Sequence, residues 1–198
     1  RRYVEVLDLT AEFTVCSNGA VIMRRVGDEW VRWHVEVFDP APVLALLRDR
    51  LPEARYMVEL ESGQRLYTAV LDDWTLDGGR QVDFDELVSQ PVSRVVVVSP
   101  EHDEDDFHQL VAEVGLNEVS YAIGWTAWLD IAPQGVDKST ALERVRAELG
   151  IPRDRVLVAG DGRNDLGMFA WALAGEGRAV AMGQAPDEVR DAAGEETT

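Results

Sequence analysis

The chain has 198 residues, 46% of them hydrophobic, with 37 acidic against 19 basic side chains and a formal net charge of −18. That length and apolar content allow one large or two small folded domains, and so negative a field excludes a non-specific binder of nucleic acid or of an anionic membrane surface. The single cysteine, Cys16, permits no intramolecular disulfide and points to a reducing cytoplasm; no window reaches the roughly 20 apolar residues of a membrane span.

In chain order, residues 12–16 read as a short buried strand ended by the turn Ser17-Asn18-Gly19-Ala20. Val21–Met23 and the alternating stretch Trp30–Val37 then form a hairpin-like excursion. Asp39-Pro40 starts a helix with Val43, Leu46, Leu47 and Leu51 inward, and Pro52 ends it. Strand-like runs follow at 55–60 and 65–71, then a Gly78-Gly79 loop, a short helix at 84–88, and the apolar run Val95–Val98, a central strand. The pattern predicts an amphipathic helix over 103–114 and strands near 117–123 and 126–132. The acidic run 101–108, with His102 and His108, is the solvated first turn of that helix, and His34 is a sheet-surface residue.

From residue 135 the chain alternates regularly: helix 137–149 with Ala141, Leu142, Val145 and Leu149 inward, strand 155–159, helix 164–174 with Leu166, Phe169, Ala170 and Leu173 inward, strand 178–181, and a helix from Pro186. Such alternation predicts parallel strands with right-handed crossovers. The tail from Gly194 reads as a frayed end.

Two stretches carry chemistry. Gly160-Asp161-Gly162-Arg163-Asn164-Asp165 follows the apolar run Val156–Ala159 and opens a helix, so two carboxylates and an amide converge on a glycine-bearing loop at a strand end. Hard oxygen donors of this kind suit Mg²⁺; the plain alternative is an ordinary turn with an Asx cap. Lys138 sits in the first turn of a helix capped by Asp137, where a cation opposes the helix dipole. A phosphate held jointly by the ammonium and the free N–H groups would explain it, and a solvated lysine is the alternative.

The segments Asp130–Leu142, Gly160–Met168 and Ala179–Pro186, with Ser17-Asn18-Gly19-Ala20 upstream, closely resemble in order and spacing the Cof-type phosphatases of the haloacid dehalogenase superfamily. The resemblance implies an α/β fold: a Rossmann-like core over 1–22 and 130–198, interrupted by an α/β cap domain over 23–129. It implies Asp161 as a carboxylate of a Mg²⁺ site and Asp165 as supporting that site directly or through water. Asn164 would lie beside the phosphate, Lys138 would neutralise the phosphoryl charge and orient the nucleophile, and Asn18 and Gly19 would line the mouth of the site. The implied reaction is hydrolysis of small phosphorylated metabolites, sugar phosphates foremost, through an aspartyl-phosphate.

The family's leading Asp-x-Asp-Gly-Thr motif has no counterpart here. Leu7-Asp8-Leu9-Thr10 and Leu71-Asp72-Asp73-Trp74 are decoys that lack an acid two residues after the first aspartate. The family's Ser/Thr phosphate motif and its usual C-terminal strand are also missing or cut short. With Arg1 in place of an initiator Met, the expectation is an N-terminally truncated core, inactive alone, with an exposed sheet edge or apolar face. Sucrose-phosphate or mannosyl-phosphoglycerate phosphatases and phosphomutases share this core and cap, and Trp74, Trp125 and Trp128 are candidates to stack on a sugar or to fill the core. From a different class comes a phosphate-binding or regulatory module that has lost its nucleophile.

Overall fold

The computed structural model of the chain describes residues 11–71, 76, 78–100, 116, 119–123 and 128–198. They fall into two compact units, Arg1–His34 with Val136–Thr198, and Val35–Gly135. The second unit therefore begins and ends later than the 23–129 expected. Residues 23–34 stay with the first unit because they continue a small sheet with the strand before them.

That sheet has the order β1-β2-β3, from β1 (Phe13–Cys16), β2 (Val21–Val26) and β3 (Glu29–Val35), with β1 antiparallel to β2. The chain then enters the second unit through α1 (Ala41–Arg50), β4 (Arg55–Leu60), β5 (Arg65–Tyr67), β6 (Arg80–Gln81), α2 (Phe84–Leu87), β7 (Val92–Val98), β8 (Val119–Ile123) and β9 (Trp128–Pro133). Its six strands lie in the order β6-β5-β4-β7-β9-β8, so the valine run of β7 is central as expected. Val43, Leu44 and Leu47 of α1 pack with Tyr56, Val58, Val95, Val97, Leu129 and Ile131. Leu46, expected inward, is 40% exposed; at 3.6 residues per turn, positions 43, 44, 47 and 51 share one stripe and 46 falls outside it. The helix expected over 103–114, its acidic run, Trp74 and Trp125 lie outside the described residues.

Back in the first unit come α3 (Lys138–Glu148), β10 (Leu157–Gly160), α4 (Leu166–Ala174), β11 (Arg178–Ala181), α5 (Asp187–Ala192) and β12 (Glu195–Glu196). Strands β10, β11 and β12 run parallel, in that order. Met168, Phe169 and Ala172 of α4 and Val189 of α5 pack on Val158, Ala179 and Ala181. The buried stripe of α4 is thus rotated from the expected one: Ala170 faces out and Leu173 is 40% exposed. Leu149, expected inward, lies past the end of α3 and is 41% exposed. Among the described residues β10 is an edge strand, and on its other face Leu157 is 55% exposed. The tail expected to fray is held instead. Arg178 grips Glu195 at 2.7 and 2.5 Å, and the Gly183 amide donates to Thr197 Oγ1 at 2.9 Å.

Helix α3 is pinned to its neighbours by Glu143, whose carboxylate accepts hydrogen bonds from Arg146 (2.7 and 3.0 Å) and Trp171 Nε1 (3.0 Å) and pairs with Arg153 (3.1 Å). Trp171 lies on α4, so this one carboxylate fixes how the two helices meet. The second unit carries a different charged device. On one sheet face Arg65 and Arg94 flank Glu59 in register, with Arg65 Nε 3.5 Å from Glu59, and Arg94 reaches diagonally to Asp130 with two 2.6 Å bonds. Charges alternate in sign across β5, β4, β7 and β9, and Glu59 and Asp130 are buried.

Two outcomes follow from these groups. Removing one partner of a buried ion pair strands the other, at a cost of about 3–5 kcal/mol. Asp130→Ala should therefore lower the unfolding free energy measured in urea by that much, read by tryptophan fluorescence, and a loss under about 1 kcal/mol would contradict the burial of the pair. The Glu143 carboxyl is held down at about 2, first by its hydrogen bond from Arg146, with Trp171 and Arg153 adding to it. A depressed folded-state value means the stabilisation is full above the ordinary carboxylate range and is lost as pH falls towards about 2. The Tm gap between wild type and Glu143→Gln should be widest near neutrality and close as pH falls through that window; a gap independent of pH would refute the assignment.

Candidate active site

The site is built on the loop between β10 and α4. Val158 and Ala179 bury the strand's inner face, and the chain leaves that layer at Gly160, where the Asp165 carboxylate lies against the backbone. A Cβ at residue 160 would sit 2.4 Å from Asp165 Cγ, so only glycine allows this approach. A single turn at Arg163–Asp165, closed by the Asp165 amide donating to Gly162 O at 2.9 Å, then feeds α4.

Asp165 is 4% exposed and both its oxygens are engaged. Oδ2 accepts the amides of Asp161 (3.0 Å) and Gly162 (3.1 Å), and Oδ1 accepts from Lys138 Nζ at 2.6 Å. A buried carboxylate is tolerated on these terms, with one ammonium and two backbone donors replacing its water. The cation at the start of α3 therefore has its counter-charge inside the protein. An ammonium has three protons, and Lys138 gives one to Asp165, leaving two that bond nothing among the described residues.

Lys138 is placed by its helix cap. Asp137 Oδ1 accepts from the Thr140 amide (2.9 Å) and from Ser139 Oγ (2.6 Å), while Thr140 Oγ1 accepts from the Asp137 amide at 3.1 Å. This reciprocal box sets the first turn of α3 and hence the root of the lysine side chain. Lys138 is also the chain's single lysine, the other 18 basic residues being arginine. A compact, three-proton point charge is retained at this one position in a chain that elsewhere uses the planar guanidinium.

The turn after β1 brings the remaining residues. Ser17 (φ 50°), Asn18 (φ 49°) and Gly19 (φ 112°) all adopt left-handed backbone, which two non-glycine residues in succession rarely do. Asn18 Oδ1 accepts from Asn164 Nδ2 at 3.1 Å, joining this turn to the β10–α4 loop. The structure thus brings together Asn18, Gly19, Lys138, Asp161, Asn164 and Asp165 within one unit. The decoys Asp8 and Asp72 lie outside the described residues.

The two carboxylates of the loop differ in kind. Asp161 is exposed, and its carboxylate takes no hydrogen bond or ion pair among the described residues. It is the oxygen donor open to a cation, whereas Asp165 has spent both oxygens holding the loop and Lys138. Among the described residues no three His, Cys, Asp or Glu side chains gather into a ready cage. One open carboxylate on an exposed loop fits Mg²⁺, which keeps several waters and binds through one or two carboxylates. Sequence reasoning treated Asp137 only as a cap, and missed that Gly160 exists to admit the Asp165 carboxylate. The signal for the second was present, since a β-strand that ends in glycine five residues before an aspartate leaves room for that side chain to fold back.

The profile of the haloacid dehalogenase-like hydrolases matches residues 1–198 of this chain. The 5-amino-6-(5-phospho-D-ribitylamino)uracil phosphatase of Bacillus subtilis (strain 168) is 25% identical over 205 residues, covering 98% of this chain and 73% of that protein. Among solved structures, the HAD subclass IIB sugar phosphatase BT4131 superposes with a TM-score of 0.75 at 18% identity, over 99% of this chain and 73% of its own. A haloacid dehalogenase-like hydrolase of B. subtilis gives 0.74 at 18% identity, over 98% and 76%. These two likenesses show the fold. The chain belongs to the haloacid dehalogenase-like hydrolases of the Cof type.

Proposed function

We propose that the protein serves the Mg²⁺-dependent hydrolysis of phosphomonoesters of small metabolites, sugar and sugar-alcohol phosphates foremost, in the cytoplasm. The observation that carries this reading is the pairing of Lys138 with the buried Asp165 at 2.6 Å, beside an Asp161 carboxylate that takes no hydrogen bond or ion pair among the described residues. A phosphoryl group at that point meets the two remaining ammonium protons of Lys138, which offset the charge on its equatorial oxygens. Asn18 and Asn164, joined across the two loops, border the same place and orient the ester. Asp161 would hold the metal, whose charge draws a phosphate dianion to a protein of net charge −18 and steadies it for in-line attack. Asp165 supports the metal indirectly, by fixing the amides of Asp161 and Gly162.

The reaction this supports has two displacements. An aspartate oxygen attacks phosphorus as the bond to the alcohol oxygen breaks and that oxygen is protonated. Water then attacks the same phosphorus, releasing phosphate and restoring the carboxylate. Neither the nucleophile nor the proton donor is matched by a motif in these 198 residues, so we place both outside them. Residues 35–135 are the cap that selects the substrate. Trp128 packs half-buried against Met57, Leu71 and Val96, which favours its filling the core. The ribityl phosphate acted on by the B. subtilis relative and the sugar phosphates of BT4131 are the reasons for naming a polyhydroxylated chain as substrate.

The test is a phosphate-release assay with Mg²⁺ on p-nitrophenyl phosphate and a panel of sugar and sugar-alcohol phosphates. The 198 residues alone should show no turnover. The same residues extended at the N-terminus by an in-frame Asp-x-Asp segment should, with Lys138→Ala or Asp161→Ala lowering kcat by about 10²-fold or more. Turnover by the 198 residues that Asp161→Ala abolishes would put the nucleophile inside them, and no turnover from the extended protein would contradict the phosphatase reading.

A further inference from the structure

We infer that Asp137, wedged between Gly19 and Gly167, is the positioning residue that sets where the Lys138 ammonium meets Asp165. An N-cap by itself needs only a side-chain oxygen facing the first helical turn, and Oδ1 of Asp137 meets that need. Two further contacts are not required by capping. A Cβ on Gly19 would lie 2.0 Å from the Asp137 carbonyl oxygen, so the left-handed turn after β1 is pressed against the helix start as closely as backbone allows. On the other side, a Cβ on Gly167 would lie 2.8 Å from Asp137 Oδ2, which rests on the first turn of α4.

Asp137 is therefore held from two directions by backbone that carries no side chain. The contacts close a ring. Asp165 stands at the N-cap position of α4, Gly167 in the first turn of that helix touches Asp137, Asp137 precedes Lys138, and Lys138 returns to Asp165. Displacing Asp137 moves the root of Lys138 against a partner fixed by two amides, and the 2.6 Å bond lengthens. A carboxylate at this place also favours the positive end of α4, which gives Oδ2 an electrostatic reason to stay. The consequence for catalysis rests on the phosphatase reading; the ring itself does not.

Because the chain has one lysine, ¹³C,¹⁵N-lysine labelling of the whole chain gives one side-chain signal, recorded without metal or substrate so that turnover does not enter. Asp165→Asn marks where the Cε and Nζ signals go when the ion pair is lost. Gly19→Ala and Gly167→Ala should each move them at least about half of that distance, as expected for residues coupled by contact. Gly150→Ala is the control. It sits at φ +64° just beyond α3 with open space around it, so it should lower Tm and leave the lysine signal in place. Should Gly19→Ala fail to fold, the decision falls to Gly167→Ala combined with Asp137→Ser, since serine keeps the cap and frees the space that the new methyl needs. Return of the signal to its wild-type position in that double variant supports the inference. An unmoved signal in Gly167→Ala, or no return in the double variant, overturns it. Failure of the phosphate-release assay with the lysine result intact would remove the catalytic consequence alone.

Discussion

A carboxylate taken out of water has to be given back what it lost, and the way Asp165 is repaid organises the candidate site. Its two oxygens face in different directions. One draws the amides of Asp161 and Gly162 into a tight loop and the other draws the Lys138 ammonium off the start of α3. Strand β10 must end in glycine to admit it, and α3 must start where its lysine can reach. Asp161 is left outside this arrangement, exposed and with a carboxylate that takes no hydrogen bond or ion pair among the described residues. The contrast between two aspartates four residues apart follows from burial: the buried one builds the loop, and the exposed one is the carboxylate that, under the proposed function, would hold the metal.

The second unit meets the same problem with a different solution. One face of its sheet is an apolar core beneath α1 and α2, and the other carries alternating charges across four adjacent strands. Buried pairs of this kind contribute little net stability compared with apolar packing, and their best attested use is to fix register. A one-residue slip of β4 against β7 would turn Glu59 into the apolar core and set a valine against Arg94. Within that unit the charges specify an alignment that a run of valines leaves open.

Much of the fold could be read from the residues, because alternating apolar runs and helical stripes record burial directly. Strand β11 at 178–181 and the central valine run of β7 lie where expected. The differences have two causes. Leu46, Leu149 and Leu173 were placed inward because leucines at helical spacing were all assigned to a buried face, while the true stripes are narrower and small residues such as Ala172 fill them. The tail was read as frayed because nothing local marks Glu195 and Thr197 as partners of Arg178 and Gly183; those contacts exist only once β11 is in place. The site was legible in its residues and illegible in its wiring. Lys138 stood out as a cation opposing a helix dipole, but its counter-ion lies 27 residues further on. Sequence also could not show that Asp161 and Asp165, alike in type and adjacent in the motif, would be separated by burial into different roles.

The account turns on the energetic coupling of Lys138 to Asp165, and a double-mutant cycle measures it most directly. Lys138→Met, Asp165→Asn and the pair would each be unfolded in urea and read by tryptophan fluorescence. Residues joined by a buried charged hydrogen bond should show a coupling above about 1 kcal/mol. A coupling below about 0.3 kcal/mol, with the two single losses simply adding, would mean that the ammonium and the carboxylate do not depend on each other and that the site is not built around them.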